Sequence, residues 1–169
     1  MNIKTTTLNA SFTALVTAAT LLIRIPIPAT QGYVNLGDAA VIVAALLLGP
    51  RTGLIAGGIG SALADWLGGY AHWAPFTLVI KGLEGFLVGL IATRAKGSQG
   101  IRTLLAAISG GVSVVAGYFL VEFALYGGGA AQIAAFANAI QALCGMAAGV
   151  AAATALRKVG FPRPQHDRI

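Results

Sequence analysis

The residues of this chain with chemical potential are the charged and polar side chains set inside long apolar runs. Of the five acidic residues, only Asp167 lies in a polar tail; Asp38, Asp65, Glu84 and Glu122 fall within apolar runs or at their ends, as do Arg24 and Lys81. A charge at the centre of a bilayer costs ~3 kcal/mol on insertion scales, so such groups must face inward and pair with or bind something. Lys81 and Glu84 are three positions apart and share a helix face. They either pair with each other, or hydrogen-bond a polar solute. Asn35 and Asp38 either cap a helix start by accepting from its orphan N–H groups, or serve that same solute. Asn138 and Gln141 bring two amides to a similar depth. Around these groups stand Tyr33, Trp66, His72 and Trp73, with Tyr70. The aromatics read as an interfacial belt or as surfaces that stack a flat heteroaromatic ligand. His72 in a loop also reads simply as a solvated histidine. Cys144 is alone in an apolar run, which excludes an internal disulfide and suggests a small buried packing residue. The sequence contains no phosphate-binding loop, no metal-ligand spacing and no nucleophile with an evident base. It therefore points to neither an enzyme nor an ATPase, and to no cofactor.

The elements that position these residues follow from hydropathy. Hydrophobic residues make up 57% of the 169 and charged residues 9%, against roughly 25% charged in a soluble domain. An all-α membrane protein is expected, one compact bundle of six short transmembrane helices forming a single domain over residues 1–169. The segments run from about Leu8 to Ile25, Leu36 to Leu48, Leu54 to Leu67, Pro75 to Thr93, Thr103 to Tyr126 and Ala131 to Leu156. Ala29 to Asn35 reads as a loop, and Gly49-Pro50-Arg51-Thr52-Gly53 as a tight turn between two short helices. The first run leads into Arg24-Ile-Pro, not a small-residue cleavage site, and so reads as a span rather than a signal peptide. A short tail follows from about Arg157.

The basic residues set the expected orientation. Lys4, Arg51, Arg94, Lys96, Arg102, Arg157, Lys158, Arg163 and Arg168 all fall on one side, while Arg24 lies near the other. Basic loops stay in the cytoplasm, so both termini are expected there, in the plasma or inner membrane. The net charge of +6 is dispersed among short loops rather than gathered in a stripe, which suits anionic lipid and argues against nucleic acid. With this orientation Asp38, Asp65, Lys81, Glu84, Glu122, Asn138 and Gln141 all lie in the outer half, and the inner half is nearly uncharged. Gly53, Gly57, Gly60 and Ala64 fall at helical spacing, a pattern that lets helices pack closely in lipid.

The stretch Gly32-Tyr33-Val34-Asn35-Leu36-Gly37-Asp38, then Ala44-Ala45-Leu46-Leu47-Leu48-Gly49-Pro50-Arg51-Thr52-Gly53, resembles the substrate-binding S components of energy-coupling factor (ECF) vitamin transporters. Gly57-Gly58-Ile59-Gly60-Ser61-Ala62-Leu63-Ala64-Asp65 and Ile80-Lys81-Gly82-Leu83-Glu84-Gly85 extend the likeness. It is nearest to the branch of riboflavin, hydroxymethylpyrimidine and pyridoxine carriers. The motif-bearing part is residues 10–90; residues 100–157 match in hydropathy only. The resemblance implies capture of a small vitamin outside, beneath a lid formed by the loop between the first two helices. It further implies docking on a transmembrane T component that carries two ATPase subunits, and reorientation to release inward. Docking in that family uses an Ala-x-x-x-Ala pattern, which Ala10, Ala14 and Ala18 reproduce; ordinary packing inside the bundle is the other account of them.

Two readings of a different class compete. One is a stand-alone secondary transporter or channel with Lys81, Glu84 and Glu122 as an ion relay, which requires polar residues across the inner half. The other is an assembly subunit with no ligand.

Overall fold

Proline decides where the first helix stops. A helical Pro26 would lose its hydrogen bond to Leu22 and clash with that carbonyl, and it pushes Ile25 toward extended geometry. In the computed structural model, which describes residues 3–161, α1 accordingly covers Ile3–Leu22, three residues short of the expected end. Arg24–Ile27 forms β1 and pairs antiparallel with β2, Gly32–Asn35, with Arg24 opposite Asn35 and Ile27 opposite Gly32. The expected loop is thus half of a two-stranded hairpin. Pro26 is tolerated because both strands of a two-stranded sheet are edges. Gln31, at φ 52°, closes its turn.

The remaining elements are α2 (Gly37–Leu48), α3 (Pro50–Leu67), α4 (Ala74–Arg94), α5 (Gln99–Tyr126) and α6 (Gly128–Lys158). The expected five-residue turn after α2 shrinks to Gly49 alone. Its φ of 91° is one that a residue without Cβ adopts freely, and Pro50 suits the first turn of α3. Among the described residues, α4, α5 and α6 are long and apolar enough to cross a membrane, whereas α2 has only 12 residues. Ten of those 12 are buried, so α2 is a core helix enclosed by protein. Arg163, Asp167 and Arg168 lie outside the described residues.

Burial is inverted relative to a water-soluble protein. Leu78, Val79, Leu104, Val112, Leu120, Phe136 and Leu143 are exposed, while Asp38, Asp65, Lys81, Glu84, Glu122, Asn138 and Gln141 are buried. Such a surface is stable against hydrocarbon and unstable against water. Cys144 is exposed on α6, which corrects the expectation of a buried thiol.

The two ends of the bundle differ. At the end away from the hairpin, Val41, Leu46, Leu47 and Val88 are fully buried in one apolar cluster with Phe12 and Val16. Thr52 donates to Asn9 (2.7 Å), Arg157 donates to the Leu46 carbonyl (2.6 Å), and Phe12 meets Phe161 edge to face. Helices α3 and α4 pack so closely that a Cβ on Gly53 or Gly85 would strike the opposing backbone. The same close approach recurs one turn along, where a Cβ on Gly57 would meet the Lys81 carbonyl.

Candidate ligand-binding site

Five helices and the hairpin line a polar cavity, with α2 behind its wall. Asp38, in the first turn of α2, turns its carboxylate into the bundle and forms a buried ion pair with Lys81 of α4. Lys81 also holds Glu84 (3.2 Å), one helical turn further on. Both open readings of this pair narrow here: Lys81 and Glu84 do pair, and they share the pairing with Asp38. Removal from water makes such ions costly unless hydrogen bonds satisfy them. Gln141 of α6 supplies some of that satisfaction. Its amide nitrogen donates to Asp38 Oδ2 (3.1 Å), and its oxygen accepts from the Asn35 backbone N–H (2.6 Å). The capping expectation holds for Asn35, whose side chain accepts from Gly37 N–H (2.7 Å), but Asp38 caps nothing. On the far wall, Asn138 of α6 donates to Glu122 of α5 (3.3 Å).

About 430 Å³ of atom-free space, part of it open to solvent, lies between Thr20, Ile27, Tyr33, Asn35, Ser61, Asp65, Trp73, Thr77, Lys81, Tyr118, Glu122, Asn138 and Gln141. It is narrow. Trp73 and Tyr118 form an aromatic wall, with ring centroids 5.9 Å apart, and the Lys81 ammonium lies 5.7 Å from the Tyr118 ring.

The hairpin roofs this space through side chains of both strands. Tyr33 donates to Asp65 Oδ1 (2.6 Å) and packs on Tyr70, with centroids 4.5 Å apart. Arg24 donates to the Gly68 carbonyl (2.8 Å) at the end of α3, and Trp73 Nε1 donates to the Gln31 carbonyl (3.2 Å). Burial, and then the neighbouring Asp65 carboxylate, push the Tyr33 phenol above its ordinary value, so it remains a donor.

Of the expected ligand residues, Tyr33, Asn35, Asp65, Trp73, Lys81, Glu122, Asn138 and Gln141 line the cavity; Asp38 and Glu84 stand behind Lys81. Trp66 and His72 are not brought in. Trp66 is 70% exposed, because one residue past Asp65 turns a helical side chain away from the bundle. His72 is exposed in the α3–α4 loop beside Trp73. Tyr70, read as a belt residue, instead stacks on the hairpin. Four polar wall residues are not among those expected from the sequence: Thr20, Ser61, Thr77 and Tyr118. Ser61, Thr77 and Tyr118 each lie four positions before Asp65, Lys81 and Glu122, on the same helix face. That spacing was the available signal.

Buried side-chain atoms without a hydrogen-bond partner are rare. Among the described residues they are Thr20 Oγ1, Thr30 Oγ1, Asp65 Oδ2 and Arg102 Nε. Thr20 and Asp65 are on the cavity wall, and Thr30 is in the hairpin turn above it.

A lipid-compatible exterior around a roofed polar cavity defines a membrane-embedded binding protein. Residues 1–158 match the family model "ECF-type riboflavin transporter, S component", and the chain belongs to that family. It is 35% identical over 145 residues to the "Thiamine precursor transporter HmpT" of Lactococcus lactis subsp. cremoris, covering 85% of this chain and 82% of that one. It is 48% identical over 135 residues to an "Uncharacterized protein in gap 3'region" of Pyrococcus woesei, covering 79% and 88%. A "UPF0397 protein" of Streptococcus pneumoniae is 32% identical over 80 residues, 47% of this chain and 43% of that one. The family and HmpT are transporters, not enzymes.

Proposed function

We propose that this chain is the high-affinity substrate-binding subunit of an ECF importer and takes up a small water-soluble vitamin precursor of the hydroxymethylpyrimidine or pyridoxine class. The observation that carries this reading is a pair of buried oxygens on the cavity wall without a hydrogen bond of normal geometry, Asp65 Oδ2 and Thr20 Oγ1. Leaving buried polar groups unsatisfied costs about 1–3 kcal/mol each, which a ligand bringing matching groups recovers. The narrow cavity favours a single ring over the three fused rings and ribityl chain of riboflavin. The thiamine-precursor role printed for HmpT supports the same choice.

In this reading all six helices cross the cell membrane, both termini are cytoplasmic, and the hairpin end faces outward. The basic residues Arg51, Arg94, Lys96, Arg102 and Lys158 at the opposite end support that orientation. Ala10, Ala14 and Ala18 are exposed on α1 and line an outward groove with Ile55, Ile59 and Leu63, which supports docking on a T component over packing inside the bundle. Two ATPase subunits then drive reorientation and inward release. The stand-alone transporter reading finds no support in the apolar cluster around Val41, Leu46, Leu47 and Val88.

Calorimetry on ligand-stripped protein without ATP tests the proposal. Tight 1:1 binding of hydroxymethylpyrimidine or pyridoxine is expected. Silence toward every B-vitamin and precursor would defeat it.

A further inference from the structure

Hydrogen-bond donors and acceptors on the cavity wall are unequally committed. The Lys81 ammonium is held by Asp38 and Glu84, the Gln141 amide nitrogen by Asp38, and the Asn138 amide nitrogen by Glu122. Thr77 and Tyr118 share one hydrogen bond (3.1 Å), and Trp73 donates to Gln31. The side-chain nitrogens of Lys81, Trp73, Asn138 and Gln141 are therefore engaged within the protein. Its open positions include the hydroxyl of Thr20, which can play either part, and a carboxylate oxygen of Asp65.

Asp65 is also placed against the grain of the fold. It sits in the last turn of α3, where the helix dipole disfavours negative charge, and no basic residue shares that turn. Only 3% of its surface is exposed. Oδ1 accepts from Tyr33 of the hairpin, whereas Oδ2 makes no hydrogen bond of normal geometry, although the Thr77 hydroxyl stands near this carboxylate. One carboxylate thus faces the roof with one oxygen and carries a free acceptor beside the cavity.

Resting on the reading above, we propose that Asp65 is the acceptor that selects a ligand carrying an N–H donor, such as an amino-substituted or protonated nitrogen heterocycle, and that through Tyr33 it ties this ligand to the closed hairpin. A donor on Oδ2 neutralises or satisfies a carboxylate oxygen that otherwise makes no hydrogen bond of normal geometry. Satisfied, Asp65 stays in the orientation that Tyr33 requires, so the bound ligand holds the roof down. The roof in turn slows escape.

The test uses the full chain in lipid nanodiscs, stripped of ligand, with two probes. One is 4-amino-5-hydroxymethyl-2-methylpyrimidine; the other is the same ring with hydrogen in place of the amino group. Asp65→Asn is expected to weaken the amino probe by about 10- to 100-fold, the range for hydrogen bonds to charged groups, and the second probe far less. Tyr33→Phe leaves Asp65 in place and is expected to speed dissociation of the amino probe by about 3- to 10-fold, the worth of an ordinary hydrogen bond. In an Asp65→Ala background, which leaves Tyr33 no acceptor, the Tyr33→Phe effect should vanish, as coupling through one carboxylate requires. Equal loss of both probes in Asp65→Asn, or a Tyr33→Phe effect that persists in the Asp65→Ala background, overturns the inference. Wild-type binding of riboflavin but not the amino probe overturns it too, while leaving a vitamin carrier in place. Binding of nothing defeats both.

Discussion

Lys81 is the cation on which two buried carboxylates depend, and the three residues should respond unequally to substitution. Lys81→Met strands Asp38 and Glu84 in the interior, and breaking a buried pair from one side costs about 3–5 kcal/mol. Glu84→Gln leaves the Asp38–Lys81 pair intact. Thermal unfolding should therefore show a large drop for Lys81→Met and a small one for Glu84→Gln. Because Glu84 stands behind Lys81 and not on the wall, its substitution should weaken ligand binding less than Gln141→Ala. Tyr33 gives a pH prediction. Its phenol is raised in the folded protein, so its contribution is complete below the ordinary tyrosine value of about 10 and is lost as pH climbs beyond it. The ratio of dissociation rates between Tyr33→Phe and wild type should stay flat from about pH 6 to 9 and fall toward one at higher pH. That these residues face the interior was legible in the sequence, because a charge in an apolar run is too costly to leave in lipid. Their partners were not. Asp38 and Lys81 are 43 positions apart, and only the packing of α2 against α4 pairs them.

Helix spans were readable because apolar length is a strong signal; their ends followed local rules that hydropathy does not see. Pro26 shortened α1, and Gly49 alone replaced a five-residue turn. The hairpin escaped notice because its strands have four residues each and one contains proline. The Gly53–Gly85 contact between α3 and α4 carries its own prediction. A leucine at Gly85 would meet the Gly53 backbone, and overpacking costs typically about 1–3 kcal/mol. Gly100→Ala on α5 meets nothing within 4 Å, and alanine is the better helix former by about 1 kcal/mol. Melting curves should therefore fall for Gly85→Leu and hold or rise for Gly100→Ala.

For the whole molecule, the proposed reading puts ligand capture and coupling on separate surfaces. Ala14→Trp fills the outward groove of α1 without touching the cavity. It should bind ligand like wild type yet abolish uptake when expressed with a T component and its ATPases; normal uptake would remove α1 from the docking surface. The apolar packing around Val41, Leu46, Leu47 and Val88 bears on transport in another way. Under the proposed reorientation, the hairpin end is the single doorway, used first for boarding and later for disembarking. Such a carrier never offers a continuous path, so ion gradients are preserved during import. Its fastest possible cycle is then the time the entire body needs to turn over, however quickly the vitamin itself can bind.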